Sequence, residues 1–266
     1  MAKNDHLSRQ LRAMPAFRGL LRAVEAKVYD EIKLAEPVLD VGCGDGHFAS
    51  EVFKRPLQAG IDPWWPPLLE AARQHRSAYD VLVQCDGKAM PFPDNHFASA
   101  ISNSVLEHIP HIDSVLQEVY RVLKPGAQFI FCSPSENFLP FLSISGGLRK
   151  IGLKGMAHSY ETWFNRICRH EHCDSPATWE KRLNKAGLKV HKSWYYFSKD
   201  ALQALEWGHY WGLPSLITKK LFGRWIVWPS DANLWLTDKL LRKYYEEPLP
   251  KQGAYLFVIA YKPKQK

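Results

Sequence analysis

Val38-Leu39-Asp40-Val41-Gly42-Cys43-Gly44-Asp45-Gly46 decides how the rest of the chain is read. A short apolar strand ends in glycines at alternate positions, where the backbone can turn sharply and come close to a ligand. The spacing is G-x-G-x-G, which differs from the G-x-G-x-x-G of nicotinamide and flavin sites. The Gly-Lys-Ser/Thr ending of a phosphate loop is also missing.

Working outward, a second acid, Asp62, stands in Gly60-Ile61-Asp62-Pro63. It lies about 20 residues beyond the glycines, where a carboxylate can accept ribose hydroxyls. A third, Asp86, closes Gln84-Cys85-Asp86-Gly87. Carboxylates at successive strand ends all face the carboxyl edge of an open parallel sheet, the edge at which such sheets bind ligands. Taken singly, each would be an ordinary turn-forming aspartate.

The surrounding pattern alternates short apolar runs with helix-like segments, which predicts an α/β fold with crossover helices. Strands are expected at Pro37 to Val41, Leu57 to Ile61, Val81 to Gln84, Phe97 to Asn103 and Gln128 to Ser133, with two more at Leu188 to Phe197 and Tyr255 to Tyr261. Helices are expected at His47 to Arg55 and Pro66 to Gln74. Another carries Ile112, Leu116, Val119, Tyr120 and Leu123 at helical spacing, with Asp113 as its cap and Lys124-Pro125-Gly126 as its stop. A further helix runs from Ser175-Pro176 to Gly187. Residues 135–174 and 198–253 are too long for plain connections and are expected to fold as helical insertions. The N-terminal segment, 1–36, has Leu7, Leu11, Phe17, Leu21 and Val24 at helical spacing with a break at Pro15, leaving 37–266 for the main domain.

With 46% hydrophobic and 13% aromatic residues, a chain of 266 residues can bury a substantial core. The net charge of +8 permits contact with nucleic acid or anionic lipid, but the basic residues are spread out, the nearest cluster being the tail after Tyr261. Cys43, Cys85, Cys132, Cys168 and Cys173 are odd in number and suggest a reducing, cytoplasmic setting rather than a disulfide framework. Cys168, His170, His172 and Cys173 match no common zinc spacing, so no metal is expected.

The stretch from Val38 to Ser133, a little over a third of the chain, resembles the class I methyltransferases. The likeness is to the small-molecule group that includes the ubiquinone and menaquinone methylases. It rests on Asp40 to Gly46, Met90-Pro91-Phe92-Pro93-Asp94-Asn95-His96-Phe97, Ser104-Val105-Leu106-Glu107-His108-Ile109 and Arg121-Val122-Leu123-Lys124-Pro125-Gly126. The family usually has Phe-Asp where this chain has Phe97-Ala98, and Gly-Gly where it has Gly126-Ala127.

The resemblance implies a Rossmann-like, doubly wound seven-stranded sheet of order 3-2-1-4-5-7-6. It also implies S-adenosyl-L-methionine as cofactor. Asp40, Gly42, Cys43, Gly44 and Gly46 would surround its methionine part, and Asp62 with Pro63 its ribose. Asp86 and Gly87 would meet the adenine, while Asn103 and Ser104 line the methionine side. His108 is the leading candidate for a base, with His158 and Tyr160 behind it; a structural histidine is the competing reading.

The aromatic insertions, with Trp207, Trp211, Trp225, Trp228 and Trp235 in the second, suggest a small lipophilic or aromatic acceptor methylated at oxygen or carbon. Residues 216–226 mix apolar and basic side chains as an interfacial helix does, so peripheral membrane contact stays open, as does ordinary lid packing. The alternatives are a nucleic-acid or protein methyltransferase and a non-catalytic cofactor-binding protein. Asn103-Ser104-Val105-Leu106 stands where amino-group methylases of nucleic acids carry Asn/Asp-Pro-Pro-aromatic, so no specific nucleic-acid partner is expected. Oligomeric state is not legible.

Overall fold

The computed structural model describes residues 5–264. The first four residues of the N-terminal segment and the last two of the basic tail lie outside them. Seven strands, β1 (Val38–Val41), β2 (Leu57–Asp62), β3 (Tyr79–Gln84), β4 (Phe97–Asn103), β5 (Leu123–Pro134), β6 (Lys189–Tyr196) and β7 (Tyr255–Tyr261), form one sheet. Their order is β3-β2-β1-β4-β5-β7-β6, as the resemblance implied. β1 pairs in parallel with both β2 and β4, while β7 runs antiparallel to β5. The strand order therefore reverses at β1, and the glycine loop leaves β1 at this switch point. Every residue of β1 is buried, which explains a run of apolar residues interrupted only by Asp40.

The helices are α1 (His6–Ala13), α2 (Ala16–Tyr29), α3 (His47–Val52), α4 (Trp65–Gln74), α5 (Ile112–Val122), α6 (Ser143–Lys150), α7 (Lys154–Cys168), α8 (Pro176–Lys185), α9 (Lys199–Trp211), α10 (Pro214–Phe222) and α11 (Asp231–Glu246). α1 stops before Pro15, whose ring cannot continue a helix interior. At α8 the Ser175 side chain accepts from the Thr178 N–H at 3.2 Å, and Gly187, at φ +92°, follows its end. Both long insertions contain helices, as their length requires.

The α5 start differs from expectation. His111, not Asp113, precedes the helix, and Asp113 lies in its first turn. The Asp113 carboxylate instead takes Arg182 at 3.0 Å and Lys185 at 2.7 Å, both on α8. A carboxylate there gains two cations, whereas a cap would satisfy one amide.

The chain separates into two compact units. One joins the N-terminal helices to residues 137–167 and 195–254; the other holds residues 32–136, 168–194 and the C-terminal strand. Within the first, α2 packs on α1, α9 and α11. A Cβ on Gly208 would lie 2.5 Å from Phe17, so α9 approaches α2 more closely than any other residue would permit. Buried Glu206 of α9 caps α6 from a distance: it accepts from the Ser143 N–H and hydroxyl at 2.6 Å and the Ile144 N–H at 3.2 Å.

In the sheet unit, Arg121 binds together two of the motifs that carry the resemblance. Its guanidinium donates to Glu118, to Asp94 Oδ1 at 2.8 Å, and to the carbonyls of Phe92 at 2.7 Å and Met90 at 2.9 Å. The loop before β4 is thus tied to α5 by charge-assisted bonds. Arg121→Leu should lower unfolding stability by about 2–3 kcal/mol in urea denaturation, through lost bonds and unpaired carbonyls. Arg121→Lys should recover less than half of it, because an ammonium cannot span four acceptors.

Candidate functional site

The site grows from the turn after β1. Ile61 of β2 accepts both the Gly42 N–H at 2.8 Å and the Cys43 N–H at 2.9 Å, which pins the loop to the neighbouring strand. Gly42 stands at φ +81° and a Cβ there would lie 2.3 Å from Val105 Cγ1, so only glycine fits. Gly44, at φ +54°, has nothing within 4 Å of the place its Cβ would occupy. The loop is therefore closed on the Gly42 side and open at Gly44. Gly46 leads directly into α3.

Asp62 ends β2 with both carboxylate oxygens engaged by the backbone. Oδ2 accepts the Gly44 N–H at 3.0 Å and Oδ1 the Trp64 N–H at 2.9 Å, with Pro63 between. These bonds fix the carboxylate while each oxygen retains a lone pair for a hydroxyl. Burial pushes its pKa up against both amides.

Asp40 is buried, and the Tyr79 hydroxyl donates to its Oδ2 at 2.7 Å. Desolvation pushes the Asp40 pKa up to about 7, with Tyr79 opposing and the nearby Asp62 charge adding to the rise. The Tyr79 ring fills the space left by two glycines: a Cβ on Gly60 would lie 2.8 Å from it and one on Gly46 3.2 Å. Tyr79 is thus a pillar under the loop, and the sequence reading did not single it out. Burial, reinforced by the charges of the same acids, pushes the Cys43 thiol pKa up and keeps it protonated.

At the third strand end, Asp86 is exposed and accepts the Lys88 N–H at 3.0 Å, which lowers its pKa. Gly87 sits against Val115 of α5, where a Cβ would come within 3.3 Å. At the fourth, the Cys132 thiol donates to Asn103 Oδ1 at 3.0 Å. Ser104 adopts φ +51°, a left-handed backbone that costs a non-glycine residue about 1–2 kcal/mol. Its N–H still reaches the Cys132 carbonyl at 3.2 Å. The expected residues of the sheet unit thus collect at the carboxyl ends of β1, β2, β3 and β4.

His108 lies past Ser104 in a short 3-10 turn. Its Nδ1 is 2.9 Å from the Arg169 carbonyl, and a carbonyl only accepts, so Nδ1 carries the hydrogen and Nε2 is the basic nitrogen. Nε2 is 3.8 Å from Glu107 Oε1. Of the Cys168–Cys173 set, His172 Nε2 is directed to the Ile109 carbonyl at 2.9 Å and the two thiols are pushed up to about 12 by burial. In the other unit, the Tyr160 hydroxyl donates to Glu206 at 2.7 Å, and burial with that carboxylate pushes its pKa upward, away from base chemistry. His158 is exposed.

A parallel sheet reversing at β1, with a glycine loop and acids at the next strand ends, defines a nucleotide-type cofactor site of the doubly wound class. Residues 39–131 match the family model described as "Methyltransferase domain". An uncharacterized methyltransferase of Mycobacterium marinum is 26% identical over 252 residues, covering 88% of this chain and 91% of that protein. A fatty-acid O-methyltransferase of Mycolicibacterium smegmatis is 38% identical over 98 residues, 35% of each chain. In fold, the chain is similar to geranyl diphosphate C-methyltransferase of Streptomyces coelicolor, solved with S-adenosyl-L-homocysteine: TM-score 0.55, 15% identity, covering 92% of this chain and 83% of that one. Residues 39–131 are thus a methyltransferase domain of the S-adenosylmethionine-dependent kind, carried on a sheet with the class I strand order. The residues present fit the cofactor, since the space above Gly44 is one that any Cβ would fill beside a fixed carboxylate.

Two outcomes follow from this geometry. Gly44→Ala should cost about 1 kcal/mol of stability yet weaken S-adenosylmethionine binding at least tenfold in calorimetry, whereas Gly42→Ala should cost more than about 2 kcal/mol. For Asp40, the folded pKa of about 7 exceeds the unfolded value near 3.8, so the fold binds the extra proton between these pH values. Its contribution to stability is full below the unfolded pKa and is lost as pH rises through about 7. Thermal melts from pH 5 to 8 should show the parent losing stability relative to Asp40→Asn as pH rises.

Proposed function

We propose that this methyltransferase acts on an oxygen or carbon of a small lipophilic or aromatic acceptor, in the cytoplasm and with peripheral membrane contact. The observation that carries the reading is the aromatic set of the helical insertions. Trp163 stacks on Tyr210 at 6.4 Å between centroids, Trp207 meets Tyr210 edge-on at 5.9 Å, and Trp163 and Trp207 remain exposed. Half-exposed aromatic surface, with the Tyr160 hydroxyl bonded to Glu206 and Tyr210 and the Trp207 N–H to Ser143, suits flat or apolar ligands. Two similar proteins bear names of that kind, one for a fatty acid and one for geranyl diphosphate.

When bound, S-adenosylmethionine supplies a methyl group on a cationic sulfur that departs as a neutral thioether. The work left to the chain is placement and exclusion of water. In this reading Asp62 receives the ribose hydroxyls, with Pro63 fixing the turn beside it. Gly42, Cys43, Gly44 and Gly46 form the wall against the methionine part, and Asp40, held by Tyr79, lies beneath them. Asp86 and Gly87 face the adenine; Asn103 and Ser104 complete the methionine side. His108 Nε2 takes the acceptor's proton, its imidazole oriented by the Arg169 carbonyl.

Labelled methyl donor, turned over against cell extract fractionated by polarity, should deliver label to the apolar fraction. Label confined to nucleic acid, protein or polar metabolites would overturn the acceptor class, and the absence of cofactor binding would overturn the enzyme reading. With an acceptor in hand, His108→Gln should lower kcat about a hundredfold or more while cofactor affinity holds, and should abolish the acid limb of the pH–rate profile. Unchanged kcat would remove His108 from the mechanism.

A further inference from the structure

α10 is turned inside out. Not one residue from Trp211 to Ser230 is buried, although the stretch is rich in large apolar side chains. Leu213, just before the helix, and Ile217 and Leu221 on it recur every four residues and so share one face. That face points to solvent, with Ile217 61% and Leu221 68% exposed; Leu216 and Phe222 beside it are also exposed. Ser215, Thr218 and Lys219 on the opposite side are half-buried, and the Thr218 hydroxyl is satisfied within the segment, 2.9 Å from both the Ser215 and the Trp225 carbonyls. Flanking the helix, Trp211 and Trp228 are 80% and 73% exposed. A helix packing on its own domain turns its apolar stripe inward, so an outward stripe marks a surface made for something else.

The charges identify what that is. Between Trp211 and Ser230 the charged residues are Lys219, Lys220 and Arg224, and no carboxylate is present. We propose that this segment docks on the surface of a bilayer containing anionic lipid, with the Leu213–Ile217–Leu221 face below the headgroups. The lysines lie against the phosphates, and Trp211 and Trp228 sit at the interfacial level, where indoles concentrate. A second copy of the chain fits less well, because a two-fold contact would set like charges against each other. The inference deepens the lipophilic-acceptor reading by naming the phase from which such an acceptor would be met. It depends on that reading only for its purpose.

The test is flotation of the full chain with phosphatidylcholine vesicles, with and without about 30% phosphatidylglycerol. The chain should float with the anionic vesicles, less so with neutral ones, and binding should weaken as salt rises. Leu216→Ser with Ile217→Ser and Leu221→Ser should reduce the bound fraction at least tenfold, and Lys219→Glu with Lys220→Glu should do so on anionic vesicles alone. Both variants should keep the parent's melting temperature and cofactor affinity, since α10 buries no residue. The proposal fails if the parent does not float with anionic vesicles or if the variants float equally well. It fails too if sedimentation shows a parent dimer that the serine variant dissolves. Flotation reads no turnover, so its failure is separate from failure of the acceptor class.

Discussion

One carbonyl oxygen, that of Ile61, accepts two successive amides, from Gly42 and Cys43, and the cofactor edge is organised around this pairing. Taking both donors forces the chain leaving β1 into a left-handed turn at Gly42, with Val105 packed where a side chain would otherwise be. The loop then returns far enough for the Gly44 N–H to reach Asp62, so the two strand ends hold one carboxylate between them. A single backbone constraint thereby sets the open space, the fixed acid and the start of α3.

Beneath the loop the electrostatics are unusual for a sheet interior. Asp40 occupies a fully buried strand, and the cost of its charge is met by one phenol rather than by a cation. Burial raises the acid's pKa, and it can become charged only with difficulty unless a cationic ligand arrives nearby. Tyr79 links the two roles. Its ring occupies space vacated by Gly46 and Gly60, and its hydroxyl orients Asp40. Ser104 stores backbone strain at the neighbouring strand end, as residues facing a ligand often do.

The helical unit follows a different economy. Its interior depends on buried carboxylates that serve several donors at once, Glu206 at the start of α6 and Glu25 between Arg22 and Tyr196. By contrast α10 buries no residue, and its apolar face remains on the surface.

The sequence by itself determined the features whose physics is local. Alternating glycines after an apolar strand, acids at strand ends, a proline that stops α1 and a serine that caps α8 all act within a few residues of themselves. The bounds of β4 and β7 agree with expectation, and for β7 a continuous apolar and aromatic run marks the ends. Only the tertiary structure decided what depends on distant partners. Tyr79 reaches Asp40 across 39 positions, and Glu206 caps α6 across 63. Asp113 gave up its expected cap for cations on α8, roughly 70 residues on. Even the facing of α10 was hidden, because periodicity reveals that a helix has an apolar stripe but not which way the stripe is turned. Hydrogen bonds and burial between residues far apart in the chain leave no spacing signal, and at this site they supply the support on which the locally written motif rests.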